Sequence, residues 1–398
     1  MKKTKKLNQP EAPARRDEAD IQLVNRILLE AFENTAADIH FEWVAGKLRV
    51  RLRVDGVLRE SAVKIPPAMQ MPVISRLKIM AGLNEKETRV SQDGRCKLNV
   101  KGKDYDLRVS AVPYATGESL VLHALSRQAA ALELACVMPD PGNLARLKRW
   151  LKKPGLIIAS GPTGSGKTTL LYSMLHELNT PDVKITTVED PVEYLIEGVN
   201  QQQLNYNAGV TFPRALRAQL RQAPNIIMVG EIRDLETVHI IIQAALTGHL
   251  VLSSLHTNDS PGIIARLLDM GLEPFLLTNT LIGGIAQRLV RAVCQNCKEE
   301  YKPEPWVLEN LGPRAPEQFF RGGGCDKCHK TGFRGRIALH EMLEMDDDLR
   351  RLVLRNAGAD ELRAQALKSG LITMQSAGFA KAAQGITTVE EVLRVCAM

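Results

Sequence analysis

A glycine-rich segment of eight residues constrains the fold of this chain more than any other part of the sequence. It reads GPTGSGKT and runs from Gly161 to Thr168. An apolar run, Leu156–Ala159, precedes it, and a stretch with helical character, Thr169–Leu178, follows it. A strand, a glycine loop and a helix in this order form a phosphate-binding loop, because glycines let backbone N–H groups turn inward at a helix N-terminus. A chance glycine loop, the alternative, does not account for both flanking elements.

The residue types inside this phosphate loop predict what each contributes. Lys167 can reach the β- and γ-phosphates of a nucleotide, and the Thr168 hydroxyl can bind magnesium. The predicted cofactors are therefore ATP and magnesium. We expect the nucleotide to contact the whole loop and the start of the helix: Gly161, Pro162, Thr163, Gly164, Ser165, Gly166, Lys167, Thr168 and Thr169.

Short apolar runs alternate with helical stretches throughout residues 143–398. The runs are Leu156–Ala159, Ile185–Val188, Ile226–Val229 and Leu250–Leu252. Buried parallel strands joined by crossover helices have this pattern, so this part of the chain is predicted to be an α/β domain. Its last third is predicted to hold a cysteine-paired insert, residues 294–328, followed by a helical C-terminal region that ends in a helix capped by Thr388 and Glu391.

Residues 18–125 are predicted to form a separate, small α+β domain. A helix is expected from Asp17 to Ala36, another over part of 67–82, a hairpin around Lys101-Gly102, and a strand over 120–125. Apolar and basic residues alternate from Leu48 to Val54, as they do in a half-buried strand, so one sheet face is expected to carry arginines. These arginines are Arg49, Arg51 and Arg53. Residues 126–142 end in a Pro/Gly-rich break and are predicted to connect the two domains.

The net charge of +7 comes mostly from the first 16 residues, which hold six basic residues and one acidic residue. The remainder carries 46 basic and 44 acidic residues, so it has no large basic footprint for nucleic acid. Residues 1–17 are predicted to be a disordered basic tail, either a solubilising leader or a contact for an acidic membrane or partner. No apolar segment follows the tail and no run of about 18 apolar residues occurs, so neither a secretory signal nor a membrane span is predicted.

Acidic residues and histidines follow the predicted strands beyond the phosphate loop. Glu189 and Glu193 close one strand, where a carboxylate can polarise the attacking water, although a solvated acidic turn reads the same way. Glu231 ends the strand IIMVG and is suited to hold magnesium. His249 and His256 flank another strand; His256 could sense the γ-phosphate, whereas a lone histidine is more often structural.

Four of the seven cysteines form two Cys-x-x-Cys pairs, which are Cys294, Cys297, Cys325 and Cys328. Two such knuckles provide four thiolates in a tetrahedral arrangement, which suits a structural zinc ion. A redox-active dithiol is the alternative, but four thiolates fill the coordination shell of zinc.

In motif order, residues 20–398 resemble the GspE/PilB family of type II secretion and type IV pilus assembly ATPases. The matching segments are GPTGSGKTT, TVEDPVEY, GEIRD, TGHLVLSSLHTN, AQRLVR and the paired cysteines. The resemblance implies that Glu189 and Glu193 lie near the attacking water, Glu231 near magnesium, and His249 and His256 in a histidine box. It also implies a RecA-like ATPase domain. Retraction motors of the PilT type lack the four-cysteine motif, so an extension or secretion motor is favoured.

The resemblance also assigns arginines that stabilise charge on the γ-phosphate: Arg108 of the small domain, and Arg217 and Arg221, which are four apart and are expected on one helix face. The chain departs from the family pattern at three positions. His123 stands where the family has a further arginine, and a histidine is mostly neutral near pH 7. Ala223 and Asn225 replace two acidic residues, so the departures bear on the rate of hydrolysis and leave the expectation of nucleotide binding unchanged.

The function implied is that of a cytoplasmic, homohexameric ATPase, peripheral to the inner membrane, that powers pilus or pseudopilus assembly. ATP is expected to bind between the two domains, and the motion of these domains would act on an inner-membrane platform protein. A further membrane protein would help to recruit the ATPase to the membrane. One alternative is a nucleotide-binding assembly scaffold with weak turnover. Another is a nucleic-acid translocase, which the near-neutral body of the chain and the lack of a stacking motif disfavour.

Overall fold

The computed structural model describes residues 14–126, 133–307 and 318–396. The chain divides into two compact units, Met1–Arg127 and Gln128–Met398. The predicted fold class is confirmed, because a small α+β unit precedes a larger α/β unit. Among the described residues, no helix combines the length and apolar character that a membrane crossing requires.

The first unit is an antiparallel sheet with helices on one face. The sheet has six strands in the order β3-β2-β1-β6-β5-β4. Its elements are α1 (Ala14–Glu33), β1 (Asp38–Val44), β2 (Lys47–Val54), β3 (Val57–Glu60), α2 (Gln70–Met80), β4 (Gln92–Val100), β5 (Lys103–Tyr114) and β6 (Gly117–Ser126). The core packs Val24 and Leu28 of α1 and Leu77 of α2 against apolar strand residues such as Val50 and Leu122. Along β2 the apolar side chains are buried and the arginines are half-buried, as the alternation predicted.

The predicted disordered tail ends earlier than expected, since α1 begins at Ala14 and residues 14–17 are helical. No proline or glycine separates Ala14 from the apolar positions of the helix, so nothing in the sequence ends the helix before Pro13. Residues 1–13 of the predicted tail lie outside the described residues.

The second unit is built on a seven-stranded sheet in the order β15-β12-β7-β11-β10-β8-β9. All neighbouring strands are parallel except β12 and β15, which are antiparallel. The strands are β7 (Gly155–Ser160), β8 (Ile185–Glu189), β9 (Val199–Gln203), β10 (Ile226–Val229), β11 (Leu250–Leu255), β12 (Leu281–Val293) and β15 (Phe333–Glu344), with a two-stranded ribbon of β13 (Lys298–Glu300) and β14 (Phe320–Gly322).

Helices surround this sheet, and their apolar sides pack with the strands into two large cores. They are α3 (Leu134–Val137), α4 (Pro141–Trp150), α5 (Lys167–Leu178), α6 (Phe212–Gln219), α7 (Leu235–Leu246), α8 (Pro261–Asp269), α9 (Pro274–Thr280), α10 (Asp347–Leu354), α11 (Ala359–Lys368), α12 (Met374–Ala383) and α13 (Val389–Cys396). The four predicted apolar runs lie in β7, β8, β10 and β11, all of which are parallel to their neighbours. Their consecutive residues are all buried, since both faces of the sheet are covered.

Part of the predicted connector belongs to this unit instead. Helix α3 buries Leu134 and Val137, and α4 begins at Pro141 with Asp140 accepting a hydrogen bond from the Asn143 N–H. The proline that suggested a break therefore occupies the first turn of a helix, where its missing N–H costs nothing. Residues 127–132 of the connector lie outside the described residues.

The C-terminal region is not helical from the cysteine insert onward, because the twelve-residue strand β15 comes first. Residues 338–343 of this strand are all buried, so the alternation that identifies a strand is missing. The expected cap of α13 forms only in part. The Glu391 N–H donates to Thr388 Oγ1 at 3.2 Å, but the Glu391 carboxylate pairs with Arg291 and Arg394 instead of reaching back to the cap.

Candidate active site

The phosphate loop connects β7 to α5, as the sequence predicted. Three of its glycines, Gly161, Gly164 and Gly166, have positive φ angles of 145°, 75° and 88°. A Cβ atom would lie 2.4 Å from the Gln287 carbonyl oxygen at Gly161 and 2.6 Å from Gln287 Nε2 at Gly166. Any larger residue at either position would therefore need both a strained backbone and a shift of Gln287.

Lys167 is the first residue of α5, and its side chain folds over the loop. Its Nζ atom donates to the carbonyl oxygens of Gly161 at 2.8 Å and Pro162 at 3.0 Å. Burial lowers the pKa of Lys167, and the charge of Glu231 works against that shift. Pro162, Thr163 and Gly164 are exposed at the crest of the loop, and the Thr168 side chain is exposed at the start of α5. The loop thus presents the groups that phosphate and magnesium require.

Glu189, at the end of β8, is buried with a relative exposure of 3%. Its carboxylate accepts hydrogen bonds from Thr187 Oγ1 at 2.5 Å, from Gln201 Nε2 at 3.1 Å and from the Tyr172 hydroxyl. Burial raises the pKa of Glu189 although these donors oppose the shift. The Tyr172 hydroxyl also accepts from the Glu193 N–H at 3.3 Å, so it links both predicted acidic residues to α5.

Tyr172 and Gln201 did not appear among the sequence-based candidates. The signal for Tyr172 was a polar aromatic residue in the apolar stretch LLYSML of the helix that follows the phosphate loop. Buried tyrosines usually find a hydrogen-bond partner, and a carboxylate at the end of the neighbouring strand provides one. Gln201 gave no such signal, because glutamines at 201–203 are equivalent in the sequence.

The carboxyl ends of β8, β10 and β11 bring a second polar cluster together at the same sheet edge. Arg233 Nε donates to Glu231 Oε1 at 2.6 Å, and His256 Nε2 lies 3.6 Å from Glu231 Oε2. Arg233 Nη1 lies 3.1 Å from Asp190 Oδ2 and 3.1 Å from the Tyr206 hydroxyl. Glu231 and His256 are therefore neighbours, and Arg233, which the sequence reasoning did not assign, connects them to the segment that follows Glu189.

The two predicted histidines lie at opposite ends of the interior strand β11. His256 directly follows β11 and is half exposed, whereas His249 precedes that strand. Six residues of strand separate the two by about 20 Å. His249 Nδ1 lies 2.9 Å from the Ala244 carbonyl oxygen, so this histidine secures the end of α7 and is not placed with Glu231.

Arg217 lies in α6, which ends at Gln219, whereas Arg221 lies in the 3-10 turn Leu220–Gln222 that follows it directly, so the two arginines are not in one α-helix. Ala223 ends that turn with a φ angle of 49°, and a proline follows it. Arg221 Nη1 donates to the Arg217 carbonyl oxygen at 2.9 Å, and Arg217 Nη2 lies 2.7 Å from Glu236 Oε1.

Asn225, one of the departures from the family pattern, has a structural role. Its Oδ1 atom accepts from the Lys184 N–H at 2.8 Å, and its own N–H donates to the Lys184 carbonyl oxygen at 2.8 Å. A carboxylate could accept the same bond, so the asparagine keeps the connection between β8 and β10 that an aspartate would make.

Arg108 belongs to the first unit, where it takes part in a row of polar residues that crosses the sheet. Directly paired positions on five adjacent strands hold Arg95, Arg108, His123, Asp38 and Arg53. His123 Nδ1 lies 2.8 Å from Asp38 Oδ1, and Arg53 Nε donates to Asp38 Oδ2 at 2.7 Å. The hydrogen bond to Asp38 raises the pKa of His123. Burial works to raise the pKa of Asp38, but His123 and Arg53 outweigh it and lower the pKa.

The four predicted zinc ligands are brought together. The Sγ–Sγ distances are 3.9 Å for Cys294 and Cys325, 3.8 Å for Cys297 and Cys328, and 3.7 Å for Cys325 and Cys328. All four sulfur atoms lie within 4.8 Å of one another. Zn–S bonds of about 2.3 Å in a tetrahedron place the sulfurs about 3.8 Å apart, so the donor set fits zinc.

Backbone N–H groups surround the sulfurs. Cys328 Sγ accepts from the N–H groups of Cys325 at 3.1 Å and Gly332 at 3.3 Å, and Cys297 Sγ accepts from Gly324 at 3.3 Å. Such donors stabilise thiolates and fix their orientation towards a metal.

Comparison with known proteins agrees with this geometry. The family described as "Type II/IV secretion system protein" matches residues 14–394. The chain is 47% identical over 380 residues to the type II secretion system protein E of Pseudomonas aeruginosa, covering 94% of this chain and 75% of that protein. It is 46% identical over 388 residues to the type IV pilus assembly ATPase PilB of Thermus thermophilus, covering 96% of this chain and 44% of that protein.

Two solved structures resemble the fold over most of its length. The pilus retraction motor PilT, solved with bound ADP, is 27% identical with a TM-score of 0.62, covering 93% of this chain and 96% of that one. The ATPase DotB of Legionella pneumophila has a TM-score of 0.70 and covers 96% of each chain; at 22% identity it supports the fold alone.

Proposed function

The chain belongs to the family of type II/IV secretion system ATPases, and from this premise we propose which reaction its site carries out and which machine it drives. The reaction is hydrolysis of ATP, and the work done with it is assembly of a pilus or pseudopilus. The observation that carries the proposal is the meeting of the phosphate loop, Glu231 and His256 at one sheet edge.

Each group at this edge has a role in phosphoryl transfer. The phosphate loop and Lys167 bind the phosphates of ATP, and Thr168 and Glu231 hold magnesium, directly or through water. His256 lies beside Glu231 and is half exposed, so it is suited to contact the γ-phosphate end of the nucleotide. Arg108, Arg217 and Arg221 supply the positive charge that hydrolysis requires as charge develops on the phosphates.

Glu189 and Glu193 act on the attacking water in this proposal, with a division of labour between them. Glu189 is buried and bonded to Tyr172, Thr187 and Gln201, which fixes the end of β8. Glu193 is less buried, and Tyr172 accepts a hydrogen bond from its N–H. Glu193 is therefore the better placed of the two to meet solvent, and Glu189 the better placed to orient the segment.

The four-cysteine cluster holds zinc as a structural ion. Four thiolates with N–H donors around them leave no open coordination position, so the ion stabilises the insert and takes no part in hydrolysis. The type II secretion protein E and the pilus assembly ATPase PilB described above are 47% and 46% identical to this chain, against 27% for the retraction motor PilT, which favours an assembly motor over a retraction motor.

The wider assembly is also part of the proposal. We infer a homohexamer at the cytoplasmic face of the inner membrane, with a polytopic platform protein as its partner and a second membrane protein for recruitment. Co-purification with a platform protein, and identification of the pilin that it assembles, would distinguish a secretion, pilus or DNA-uptake machine.

The catalytic proposal is tested by steady-state ATP hydrolysis with platform protein present. Lys167→Ala and Glu231→Gln are each expected to lower kcat by about 100-fold or more. Lys148→Ala and Glu177→Gln are matched controls, because Lys148 and Glu177 form a surface ion pair in the same unit. Equal rates in wild type and in the two site variants would contradict the proposal.

Two alternatives give different results in the same assay. A nucleotide-binding scaffold would bind ATP, but wild type would then hydrolyse ATP no faster than Lys167→Ala. A nucleic-acid translocase would show DNA-stimulated hydrolysis that declines steeply with salt.

A further inference from the structure

Gln287, in the middle of β12, contacts the phosphate loop from the neighbouring strand. Its side chain is buried with 1% relative exposure, and Nε2 donates to the carbonyl oxygen of Ser165 at 2.8 Å. Ser165 lies inside the phosphate loop, and its N–H donates to the Pro162 carbonyl oxygen at 3.3 Å. Gln287 therefore binds the turn that Pro162 and Ser165 form inside the phosphate loop.

His340 fixes the orientation of the Gln287 amide. The two residues are directly paired across the antiparallel strands β12 and β15, and His340 Nε2 donates to Gln287 Oε1 at 2.9 Å. The Ser165 carbonyl oxygen can accept only from the NH₂ group of the Gln287 amide, so Gln287 Oε1 faces His340. Because Oε1 can only accept a hydrogen bond, His340 must carry its proton on Nε2. Burial lowers the pKa of His340 to about 4, so the ring stays neutral near pH 7 and keeps this donor.

The loop is shaped around Gln287 at both of its ends. A side chain at Gly161 would meet the Gln287 carbonyl oxygen, and one at Gly166 would meet Gln287 Nε2. Two glycines of the phosphate loop thus leave the space that Gln287 fills. Polar groups in a packed interior are costly unless paired, and here each amide atom has a partner.

We propose that Gln287 and His340 are positioning residues for the nucleotide: the imidazole orients the amide, and the amide holds the Ser165 carbonyl so that the phosphate loop keeps its phosphate-binding conformation. The inference rests on the proposed function only in that the loop binds nucleotide. Neither residue touches the nucleotide in this scheme. Gln287 and His340 affect nucleotide binding through the backbone of the phosphate loop.

Gln287→Leu removes the donor and keeps much of the side-chain volume, so the Ser165 carbonyl loses its partner. Loss of a buried hydrogen bond predicts a dissociation constant for ADP raised about 10-fold or more. Because the loop binds substrate and transition state alike, KM for ATP is expected to rise while kcat changes less than about 2-fold. His340→Phe is expected to raise the ADP dissociation constant by a smaller factor, and His340→Gln, which restores an N–H donor, to stay within about 2-fold of wild type.

The experiment measures ADP binding by calorimetry and the KM and kcat of hydrolysis, with the melting temperature of each variant. Val290→Ala is the matched control, since Val290 lies on β12, is fully buried and packs away from the loop in the cluster with Leu339. It is expected to lower the melting temperature and leave ADP binding unchanged.

A Gln287→Leu protein that binds ADP as tightly as wild type would overturn the inference. So would equal losses in Gln287→Leu and Val290→Ala, because a general loss of packing would explain both. If Gln287→Leu fails to fold, the comparison of His340→Phe with His340→Gln decides, since only the first lacks the donor. A wild-type chain that binds no ADP would contradict the proposed function itself.

Discussion

The Nδ1 atom of His123 lies 2.8 Å from the Oδ1 atom of Asp38, on the adjacent strand of the first unit. This hydrogen bond raises the pKa of His123, so a larger fraction of the ring is charged near pH 7 than its sequence position alone indicated. The same histidine is paired directly with Arg108 across β5 and β6. In the proposed function, His123 would supply part of the positive charge that an arginine would supply at this position.

The first prediction concerns the pH dependence of hydrolysis. The charge on His123 is present below its raised pKa and is lost as the pH rises through it, so ATP hydrolysis is expected to decline over that range. His123→Arg keeps its charge throughout, and we expect it to flatten the profile and raise kcat by about 10-fold at pH 8.5. Asp38→Asn should move the decline to lower pH, because it removes the carboxylate that holds the proton. Identical pH profiles for wild type and His123→Arg would show that this side chain does not serve hydrolysis.

The second prediction concerns the metal. Purified protein is expected to carry a single zinc ion per chain, and Cys328→Ser is expected to lose it and to melt about 5 °C or more below wild type. Metal analysis and thermal unfolding check this. Cys136→Ser is the control, because Cys136 is an exposed cysteine outside the cluster. Full zinc occupancy in Cys328→Ser would rule out the four-thiolate site.

The third prediction concerns a buried ion pair in the first unit. Lys78 Nζ lies 2.7 Å from Glu118 Oε1 and also donates to the Glu87 carbonyl oxygen at 2.7 Å, and the Lys78 side chain has no exposed surface. Lys78→Met leaves the Glu118 carboxylate buried without its partner, which is expected to cost about 3–5 kcal/mol of unfolding free energy. The double variant Lys78→Met, Glu118→Gln should recover part of this loss in denaturant unfolding. Additive losses in the double variant would show that the two side chains are not coupled.

The fourth prediction concerns stability in acid. The pKa of His340 is about 4 in the folded chain, against an ordinary value of 6.5, so the unfolded state binds more protons between these values. The contribution of His340 to the free energy of unfolding is therefore fully present above pH 6.5. It is lost as the pH falls towards 4, by about 2–3 kcal/mol between pH 7 and pH 4.5. Wild type and His340→Gln contain the same carboxylates, so the difference between their unfolding free energies as a function of pH reports on the histidine. If the difference in unfolding free energy between wild type and His340→Gln did not vary with pH, the lowered pKa of His340 would be contradicted.

The sequence predicted the elements whose signals are local. The phosphate loop, the buried parallel strands, the arginine face of β2 and the cysteine pairs each occupy a short segment with a pattern of its own, and each is where it was expected. The same holds for the order of the two domains, since the hydrophobic periodicity changes between them.

What the sequence did not predict depends on contacts between distant segments. Gln287 and Ser165 are 122 positions apart, and no local pattern relates them. The 3-10 turn that holds Arg221 ends at Ala223, which adopts a left-handed conformation although it is not a glycine. The burial of Glu189 depends on Tyr172 and Gln201, whose meeting is a property of the packed sheet and helix.

Strands β12 and β15 are antiparallel neighbours whose last pair is Val293 and Phe333. The entire cysteine-containing insert between them is, topologically, the loop of a single β-hairpin. A longer hairpin loop costs little closure entropy, and its length leaves the strand pairing unchanged. Val307 and Phe319 of this loop pack with Ala382, Val389 and Leu393 of the C-terminal helices, so the insert is anchored to those helices, whereas the register that pairs Gln287 with His340 belongs to the strands themselves.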